Sequence, residues 1–311
     1  MDHTPQFTRT RIAPTPSGFL HLGNVLSLAL TCAWAQRTGA KVLLRIDDMD
    51  RDRYDPHYVQ DIFDTLHFLD IPWDEGPKDL RDFEKNYSQI HRLDLYTKVL
   101  QRLQEKGLLF ACTCSRSRLS KIATDSGYPG TCRSAHHPLD GQDVNWRLLT
   151  DPAENFIVPT IDNGNGPASL GNGTASPGNY VASLPASMRD PVVRKKDGSP
   201  AYQLTSIVDD QYFNVDLVIR GEDLWPSTIA QLCLAAHLPN STFHTVHFLH
   251  HPLLRDENGE KLSKSAGATS IQYLRKQSMS AADIYTLIGK QMGLSTSVHD
   301  WQSLSAAIWL K

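Results

Sequence analysis

The feature that most constrains the fold is a strand, helix and strand pattern near the N-terminus. The run "TRIA" at residues 10–13 is typical of a strand, "VLSLALTCAWAQRTG" indicates a helix closed by Gly39, and "KVLLRID" at residues 41–47 indicates a buried strand. Two strands joined by a helix in this way lie parallel, because the crossover helix returns the chain to the same edge of the sheet. The pattern therefore predicts an α/β fold with a Rossmann-like, doubly wound parallel sheet.

This α/β pattern is interrupted once. Between residues 107 and 189 the alternation of strands and helices breaks down, and residues 163–179 consist mainly of Gly, Asn, Ser and Pro, which is typical of a flexible surface loop. The pattern then resumes with two strand-like runs around a turn at Asp197 and Gly198, and it becomes helical from Ser270 to the end. We predict a first catalytic half, an insertion, a second catalytic half, and a loop with a short helical C-terminal segment, at residues 1–106, 107–189, 190–262 and 263–311.

Composition excludes several classes of protein. No run of about eighteen apolar residues occurs, and the N-terminus lacks the apolar core of a signal peptide. The formal net charge of -3 provides no global basic field, so any contact with nucleic acid must be local. Five cysteines in a chain without an export signal argue against a disulfide framework, and Cys32 and Cys233 lie in apolar helical runs. We expect a soluble, cytoplasmic monomer that contacts no membrane.

Two separate motifs are typical of a polyphosphate site. Gly18, His21 and Gly23 lie where the first strand passes into a helix, and a helix N-terminus offers free N–H groups and a positive dipole end to an anion. The run "KLSKS" at residues 261–265 places two lysines and two serines on a loop suited to closing over phosphates. Each motif alone fits a structural accident or a solvated basic loop, but their combination favours an ATP site.

The same motifs resemble the signatures of class I aminoacyl-tRNA synthetases, with "HLGN" in place of HIGH and "KLSKS" in place of KMSKS. The runs "RIAPTPSGFLHLGN", "LLRIDDMDRDR", "VIRGEDL" and "EKLSKS" are similar to the glutamyl branch, and the similarity covers most of the chain. About forty-five residues follow "KLSKS", so the chain looks like the members of this branch that lack an anticodon-binding domain. The resemblance implies tRNA-independent, ATP-dependent activation of L-glutamate to glutamyl-adenylate, followed by transfer to the queuosine base in the anticodon of tRNA(Asp).

The resemblance also implies roles for individual residues. Catalysis would depend on His21, Lys261 and Lys264, which would act on the phosphates of the transition state. The implied ATP-binding residues are Gly18, His21, Gly23, Asn24, Leu262, Ser263 and Lys264. The implied glutamate-binding residues are Arg11, Ile12, Ala13, Pro14, Thr15, Asp47, Tyr202 and Arg220. Arginine binds carboxylates through two parallel hydrogen bonds, which suits this substrate, and magnesium is expected with ATP.

One position departs from the family pattern. The family usually has R-I-E-D where this chain has Arg45, Ile46, Asp47 and Asp48. The acid expected to pair with the α-amino group of glutamate is therefore one methylene shorter. We keep Asp47 as the predicted contact, with a bridging water or a small shift of the strand closing the gap.

Three cysteines form a separate group with the spacing of a metal site. Cys112, Cys114 and Cys132 supply three soft ligands that suit tetrahedral zinc. The residues alone leave the fourth ligand open, with His136 as a candidate and three reduced thiols without metal as the alternative. The family resemblance implies Tyr128 as the fourth ligand. One structural zinc per chain would then stabilise a long insertion that has little core of its own.

Two other functions remain open on the sequence. A truncated glutamyl-tRNA synthetase that charges tRNA(Glu) would share the same catalytic motifs. A catalytically silent paralogue that binds tRNA or nucleotide is the alternative outside the enzyme class. The presence of His21, Gly23, Lys261 and Lys264 argues against a silent copy, which has no reason to keep both phosphate motifs.

Overall fold

The computed structural model describes residues 5–122, 127–161, 174–176, 178–254 and 270–309. Its strands are β1 Arg9–Ile12, β2 Lys41–Leu44, β3 Leu109–Cys112, β4 Asn145–Leu148, β5 Asn155–Pro159, β6 Thr174–Ser176, β7 Asn179–Ser183, β8 Val192–Arg194, β9 Leu217–Gly221 and β10 His247–His251. Its helices are α1 Leu22–Thr38, α2 Pro56–Phe68, α3 Leu80–Asp82, α4 Leu93–Glu105, α5 Arg116–Ile122, α6 Tyr202–Tyr212, α7 Trp225–Ala236, α8 Ile271–Lys276, α9 Ala281–Gln291 and α10 Trp301–Trp309. Among the described helices, none combines the length and apolarity needed to cross a bilayer.

The chain divides into two compact units, and the first of them contains the parallel sheet. This unit comprises residues 1–91, 215–222 and 249–311. Its four-stranded sheet has the order β10-β9-β1-β2. Strand β1 pairs in parallel with β2, where Arg9 lies opposite Lys41, and with β9, where Thr10 lies opposite Leu217. The predicted parallel unit built from two strands and a helix is therefore confirmed, and so is the α/β class.

Helix α1 connects β1 to β2 and is buried along most of its length. The sheet covers one side of it and α10 packs on another, where Oγ of Ser305 donates to the carbonyl of Ala29 at 3.5 Å. Gly39 ends the helix with a φ of 77°, in the left-handed region that glycine enters without steric cost. The predicted helix end is therefore confirmed.

The C-terminal helices α8, α9 and α10 belong to the first unit and complete its core. The hydroxyl of Tyr285, which is fully buried, donates to the carbonyl of Leu69 at 2.8 Å. Nε1 of Trp301 donates to the carbonyl of Asp70 at 3.1 Å. These long-range hydrogen bonds satisfy two carbonyl groups that follow α2. The predicted helical C-terminal segment is therefore confirmed, and it packs into the first unit.

The second unit comprises residues 92–214 and 223–248 and is built on antiparallel pairing. One sheet has the order β3-β4-β8 and another has the order β5-β7-β6. A buried ion pair joins α6 to the start of α4, because Nε and Nη2 of Arg92 donate to the two carboxylate oxygens of Asp209 at 2.7 and 3.0 Å. The hydroxyl of Tyr96 donates to the same carboxylate at 2.7 Å, so this buried charge is well satisfied.

The prediction of two strand-like runs around Asp197 and Gly198 is wrong in its second half. The turn itself is present, since Gly198 has a φ of 88° and Arg194 forms a bridge with Pro200. The following residues form α6 and not a strand. Short apolar runs fit both periods, and here the helical period prevails because it buries Leu204 and Ile207 together on one face.

The predicted surface loop at residues 163–179 lies largely outside the described residues. Its described part is partly regular, since Thr174–Ser176 forms strand β6 and pairs with β7. For these three residues, and for Asn179 at the start of β7, the prediction of a loop is wrong. The pairing partner, Val181 opposite Thr174, is not evident from a stretch rich in Gly, Asn and Ser.

Candidate active site

The candidate active site lies in the first unit, at the carboxyl end of β1. Strand β2 lies on one side of β1 and β9 on the other, so the strand order reverses here, and ligands of open α/β sheets bind at such a switch point. The segments that follow β1 and β2 run side by side, because the N–H of Arg45 donates to Ile12 at 2.9 Å and that of Asp47 donates to Pro14 at 3.0 Å. Arg220 is the next-to-last residue of β9.

Most of the predicted glutamate-binding residues are thereby assembled in one unit. Arg11 and Arg220 are buried on adjacent strands, with 5% and 4% of their surface exposed. The run of residues 12–15 continues β1, and Asp47 follows β2. Tyr202 is the exception, because it lies in the second unit at the first residue of α6 with 41% of its surface exposed.

The start of α1 forms the second part of the site. His21 is the residue before the helix, and its backbone N–H donates to Oδ1 of Asn24 at 3.0 Å. Asn24 therefore has a structural task that the sequence motif did not reveal, since it caps the helix. A Cβ at Gly23 would lie 3.2 Å from the imidazole of His21, so glycine lets the ring lie against the helix. Apart from the chain neighbours of Gly18, no described atom lies within 4 Å of a Cβ placed on this residue.

The predicted lysine motif lies outside the described residues, but its flanks do not. Lys261, Leu262, Ser263 and Lys264 belong to the undescribed segment 255–269. The first described residue after it, Ser270, forms an antiparallel bridge with His21. The next N–H, of Ile271, donates to the carbonyl of Leu20 at 2.7 Å. The first described residues after this segment therefore lie beside the start of α1.

A buried ion pair orients Asp47, which the sequence analysis singled out. Nε and Nη2 of Arg45 donate to Oδ1 and Oδ2 of Asp47 at 2.7 and 3.0 Å, and the two side chains are only 2% and 7% exposed. Side chains two positions apart along an extended segment point to the same side, so this spacing was the available signal for the pair. Arg45 is the residue of this site that sequence reasoning missed.

Hydrogen bonds to other residues of the first unit also fix the loop after β2. Asp48 accepts from the hydroxyl of Ser88 at 2.5 Å, from the N–H of Gln89 at 2.8 Å and from Nη1 of Arg51 at 2.5 Å. Oε1 of Gln89 accepts from the N–H of Met49 at 2.7 Å. Because these groups are tied to the protein before any ligand binds, Asp47 is presented in a preorganised position.

Replacement of Arg45 by lysine is expected to lower kcat/KM for glutamate by about 10- to 100-fold while leaving the KM for ATP near its original value. A lysine keeps the charge but loses the two parallel hydrogen bonds, and hydrogen bonds to charged groups are each worth roughly 1.5–3 kcal/mol. The measurement is pyrophosphate exchange as a function of glutamate and of ATP concentration.

The matched control for Arg45→Lys is Arg51→Lys. Arg51 pairs with the neighbouring Asp48, but its side chain is 43% exposed, so the substitution should have little effect on either KM. An Arg45→Lys variant with unchanged glutamate dependence would contradict the orienting role of Arg45.

His250 lies in a positively charged environment in the same unit. Burial, with the charges of Arg220, His251 and Arg11, holds the pKa of His250 well below the ordinary histidine value. The imidazole is therefore neutral at physiological pH. A neutral ring adds no further positive charge beside the two buried arginines.

The free energy of unfolding is expected to fall as the pH drops below about 6.5. The unfolded chain takes up a proton at His250 in this range and the folded chain does not, so protons favour unfolding by up to about 1.4 kcal/mol per pH unit. Denaturant unfolding between pH 7 and pH 5 should show this slope, and His250→Asn should make it shallower. Equal slopes in the wild-type and His250→Asn proteins would contradict the prediction.

The second unit contains the cysteine cluster. Cys112 ends β3, and it is buried together with Cys114 and Cys132. The three sulfur atoms lie within 4.8 Å of one another, and Sγ of Cys114 is 3.7 Å from Sγ of Cys132. A tetrahedron with zinc–sulfur bonds of about 2.3 Å has edges of about 3.8 Å, so Cys114 and Cys132 already have the spacing of two zinc ligands and Cys112 lies close to them.

Tyr128 packs against this cluster. Its hydroxyl accepts from the N–H of Cys132 at 2.8 Å, and burial raises its pKa. Burial opposes ionisation of Cys132 as well, but hydrogen bonds from the backbone of Thr113 and from Cys114 lower the pKa of that thiol. His136, the other candidate for a fourth ligand, is exposed. The donor set therefore fits a closed metal site with Tyr128 at its side.

The parallel sheet, the helix start at its switch point and the buried arginines beside it define a nucleotide-binding α/β catalytic domain. Comparison with known families specifies this class further. Residues 8–299 match the family described as tRNA synthetases class I (E and Q), catalytic domain. The chain belongs to this family, and it is an enzyme of the aminoacyl-tRNA synthetase type.

Curated relatives cover most of the chain. A Glutamyl-Q tRNA(Asp) synthetase of Rhodobacter capsulatus is 34% identical over 293 residues, which are 90% of this chain and 99% of the relative. A protein of the same name from Symbiobacterium thermophilum is 36% identical over 85% of this chain and 80% of the relative. A Glutamate--tRNA ligase of Dehalococcoides mccartyi strain CBDB1 is 33% identical over 85% of this chain, but over only 52% of the relative.

Solved structures show the same fold. The glutamate tRNA ligase of Elizabethkingia meningosepticum, in complex with its amino acid, superposes with a TM-score of 0.67 at 20% identity. The glutamate-tRNA synthetase of Elizabethkingia anophelis gives a TM-score of 0.68 at 20% identity. Both matches cover 96% of this chain, which spans 64% and 65% of those longer chains.

Proposed function

We propose that this enzyme activates L-glutamate with ATP in the absence of tRNA and transfers the glutamyl group to the queuosine base in the anticodon of tRNA(Asp). The observation that carries the proposal is the similarity to relatives named Glutamyl-Q tRNA(Asp) synthetase, which reaches 34% identity over 99% of one of them. The assembled site of the first unit supports the first step, and the names of the relatives support the choice of tRNA.

In the first step, an oxygen of the α-carboxylate of glutamate attacks the α-phosphorus of ATP. A phosphorus–oxygen bond forms and pyrophosphate leaves, which yields glutamyl-adenylate. The protein supplies no nucleophile in this step, so it acts by positioning and by stabilising charge. His21 and Lys264 stabilise the developing charge on the phosphates, with Lys261 on the same loop, and magnesium accompanies ATP.

Glutamate selection follows from the charges at the carboxyl ends of the strands. Arg11 and Arg220 are buried and cationic, so they bind the carboxylates of the substrate, and Tyr202 remains the further glutamate-binding residue that the family resemblance implies. Asp47, oriented by Arg45, accepts from the α-amino group. In the second step the glutamyl group moves to the queuosine base and AMP leaves.

The zinc site serves the second unit as a structural element. Cys112, Cys114 and Cys132 would hold the metal with Tyr128 as fourth ligand, and zinc bound there would cross-link the end of β3 to the segment near residue 130.

The experiment that tests the proposal is amino-acid-dependent ATP–pyrophosphate exchange with glutamate, glutamine or aspartate, each with and without tRNA. Exchange with glutamate alone and without tRNA is the expected result. A second assay then follows transfer of labelled glutamate to tRNA(Asp) prepared with and without queuosine. Transfer only to the queuosine-containing tRNA supports the complete proposal.

Other outcomes favour other functions. Exchange that requires tRNA(Glu) would support a synthetase that charges tRNA(Glu), which the match to the Glutamate--tRNA ligase also allows. An absence of exchange with every amino acid and tRNA would contradict the proposal and favour a silent binding protein.

A further inference from the structure

A cavity in the second unit lies beside the cysteine cluster and is used by neither step of the proposed reaction. Its volume is about 400 Å³, within the range of roughly 300–1,000 Å³ that is common for small-molecule sites. Tyr128, Arg147 and Gln203 line it together with the apolar residues Leu119, Met188, Pro191 and Val192. Every residue of this wall belongs to the second unit.

Two guanidinium groups line this cavity, that of Arg147, which is buried, and that of Arg189, which is exposed. Arg147 is only 6% exposed, and its guanidinium carbon lies 3.7 Å from the ring centre of Tyr128. Nη1 donates to the carbonyl of Asp190 at 2.7 Å. Within the described ranges, nothing accepts from the buried Nε, and no carboxylate pairs with the guanidinium. The carboxylate of Asp190 is bound instead to Arg133, at 3.1 Å.

This arrangement leaves the Nε and Nη2 edge of the guanidinium without an acceptor among the described residues. With Nη1 bound to the protein, Nε and Nη2 form the pair of parallel donors that matches two oxygens of a phosphate or carboxylate. A buried charge without an ionic partner is unfavourable, so an anion that enters the cavity gains from pairing with it.

A second polar atom lines the same cavity. Nε2 of Gln203 donates to Oγ of Ser227 at 3.1 Å, which orients the amide. In the part of the chain that the structure describes, Oε1 of Gln203 is buried without a hydrogen-bond donor. A ligand that satisfies both residues needs an oxyanion for Arg147 and an O–H or N–H group for Gln203.

We propose that this cavity binds a sugar phosphate. The phosphate binds the Nε and Nη2 edge of Arg147, a sugar hydroxyl donates to Oε1 of Gln203, and the carbon skeleton contacts Pro191 and Val192. The ligand is either a free sugar phosphate or a nucleotide of an RNA strand. The second source rests on the proposed function, whereas the first is independent of it.

Isothermal titration of the full-length protein with ribose 5-phosphate, and separately with ribose, tests this proposal. We expect saturable binding of ribose 5-phosphate and none of ribose. A competition experiment with a short single-stranded RNA identifies the source. Displacement of ribose 5-phosphate by the RNA indicates a strand nucleotide, and failure of displacement indicates the free ligand. This binding assay does not involve pyrophosphate exchange. A failure of pyrophosphate exchange would therefore contradict only the proposed function.

Two substitutions locate the binding. Arg147→Lys retains the charge but loses the two-donor edge, and it should weaken binding at least tenfold. Gln203→Met conserves volume and removes the buried acceptor, and it should weaken binding severalfold, with thermal unfolding measured to show that the variant is folded. The matched control is Arg194→Lys. Arg194 stacks on Trp146 of the same sheet with its guanidinium carbon 4.8 Å from the ring centre, but it does not line the cavity, so binding should be unchanged.

Two outcomes would overturn the proposal. One is an absence of saturable ribose 5-phosphate binding to the wild-type protein, which would show that the cavity is not a sugar-phosphate site. The other is binding that is equally tight in folded Gln203→Met and Arg147→Lys variants, which would place the ligand elsewhere.

Discussion

Replacing His21 with alanine is expected to lower glutamate-dependent pyrophosphate exchange by about a hundred- to a thousand-fold. Loss of one preorganised hydrogen-bond donor to transition-state charge typically has an effect of this size. The fold should survive, because the N–H of residue 21 still donates to Asn24 when the imidazole half of the capping box at the start of α1 is removed. Exchange rates at saturating glutamate and ATP measure the effect directly. Lys264→Ala, on the predicted lysine motif, is expected to cause a loss of the same size.

The control for these variants is His57→Ala. His57 lies in the first turn of α2 with its side chain 88% exposed, so the exchange rate should stay at the wild-type value. Unfolding temperatures of the three variants confirm that any loss is catalytic. His21→Ala and Lys264→Ala proteins with wild-type exchange would contradict the assignment of both residues.

The second large effect concerns the cysteine cluster. Cys132→Ser is expected to lower zinc affinity at least about a hundredfold, because even outer partners of metal ligands contribute about 10- to 100-fold. The purified variant should contain far less than one zinc per chain, and its second unit should unfold at a lower temperature, since a structural metal contributes directly to folding. Elemental analysis and thermal unfolding measure the two effects.

A buried thiol outside the cluster provides the control. Cys233 lies in α7 of the same unit, and Cys233→Ala should leave the zinc content unchanged. Treatment of the wild-type protein with a chelator should reproduce the lowered unfolding temperature of Cys132→Ser. Wild-type protein purified without chelator and found free of zinc would contradict the metal site.

The parts of the fold that were predictable carry local signals. Asp55 followed by Pro56 is a typical helix start, and the carboxylate of Asp55 accepts from the N–H of His57 at 2.9 Å and caps α2. Gly39 was expected to end α1, and it does so in the left-handed region. Such signals depend on neighbouring residues alone, so the tertiary contacts of the helix do not change them. The helix α6 was mistaken for a strand because its short apolar run carries no such signal.

The residues of the candidate site also divide into those that a sequence motif identifies and those that only the folded chain brings together. His21, Gly23 and Asp47 were identified from motifs, which record residue type and order along the chain. The bidentate pairing of Arg45 with Asp47, and the support of Asp48 by Ser88, appear only when the chain is folded. The second of these contacts joins residues forty positions apart.

The sequence by itself therefore determined the α/β class, the catalytic motifs and the identity of the three cysteines, because periodicity, caps and motif order are properties of the chain. Only the tertiary structure decided which charges are buried together and which surfaces enclose a cavity. Arg147 and Gln203 are ordinary polar residues in the sequence, and they face one cavity only because strand β4 and helix α6 pack into the same unit. Burial and pairing of charge depend on contacts between distant segments, and no local pattern records those contacts.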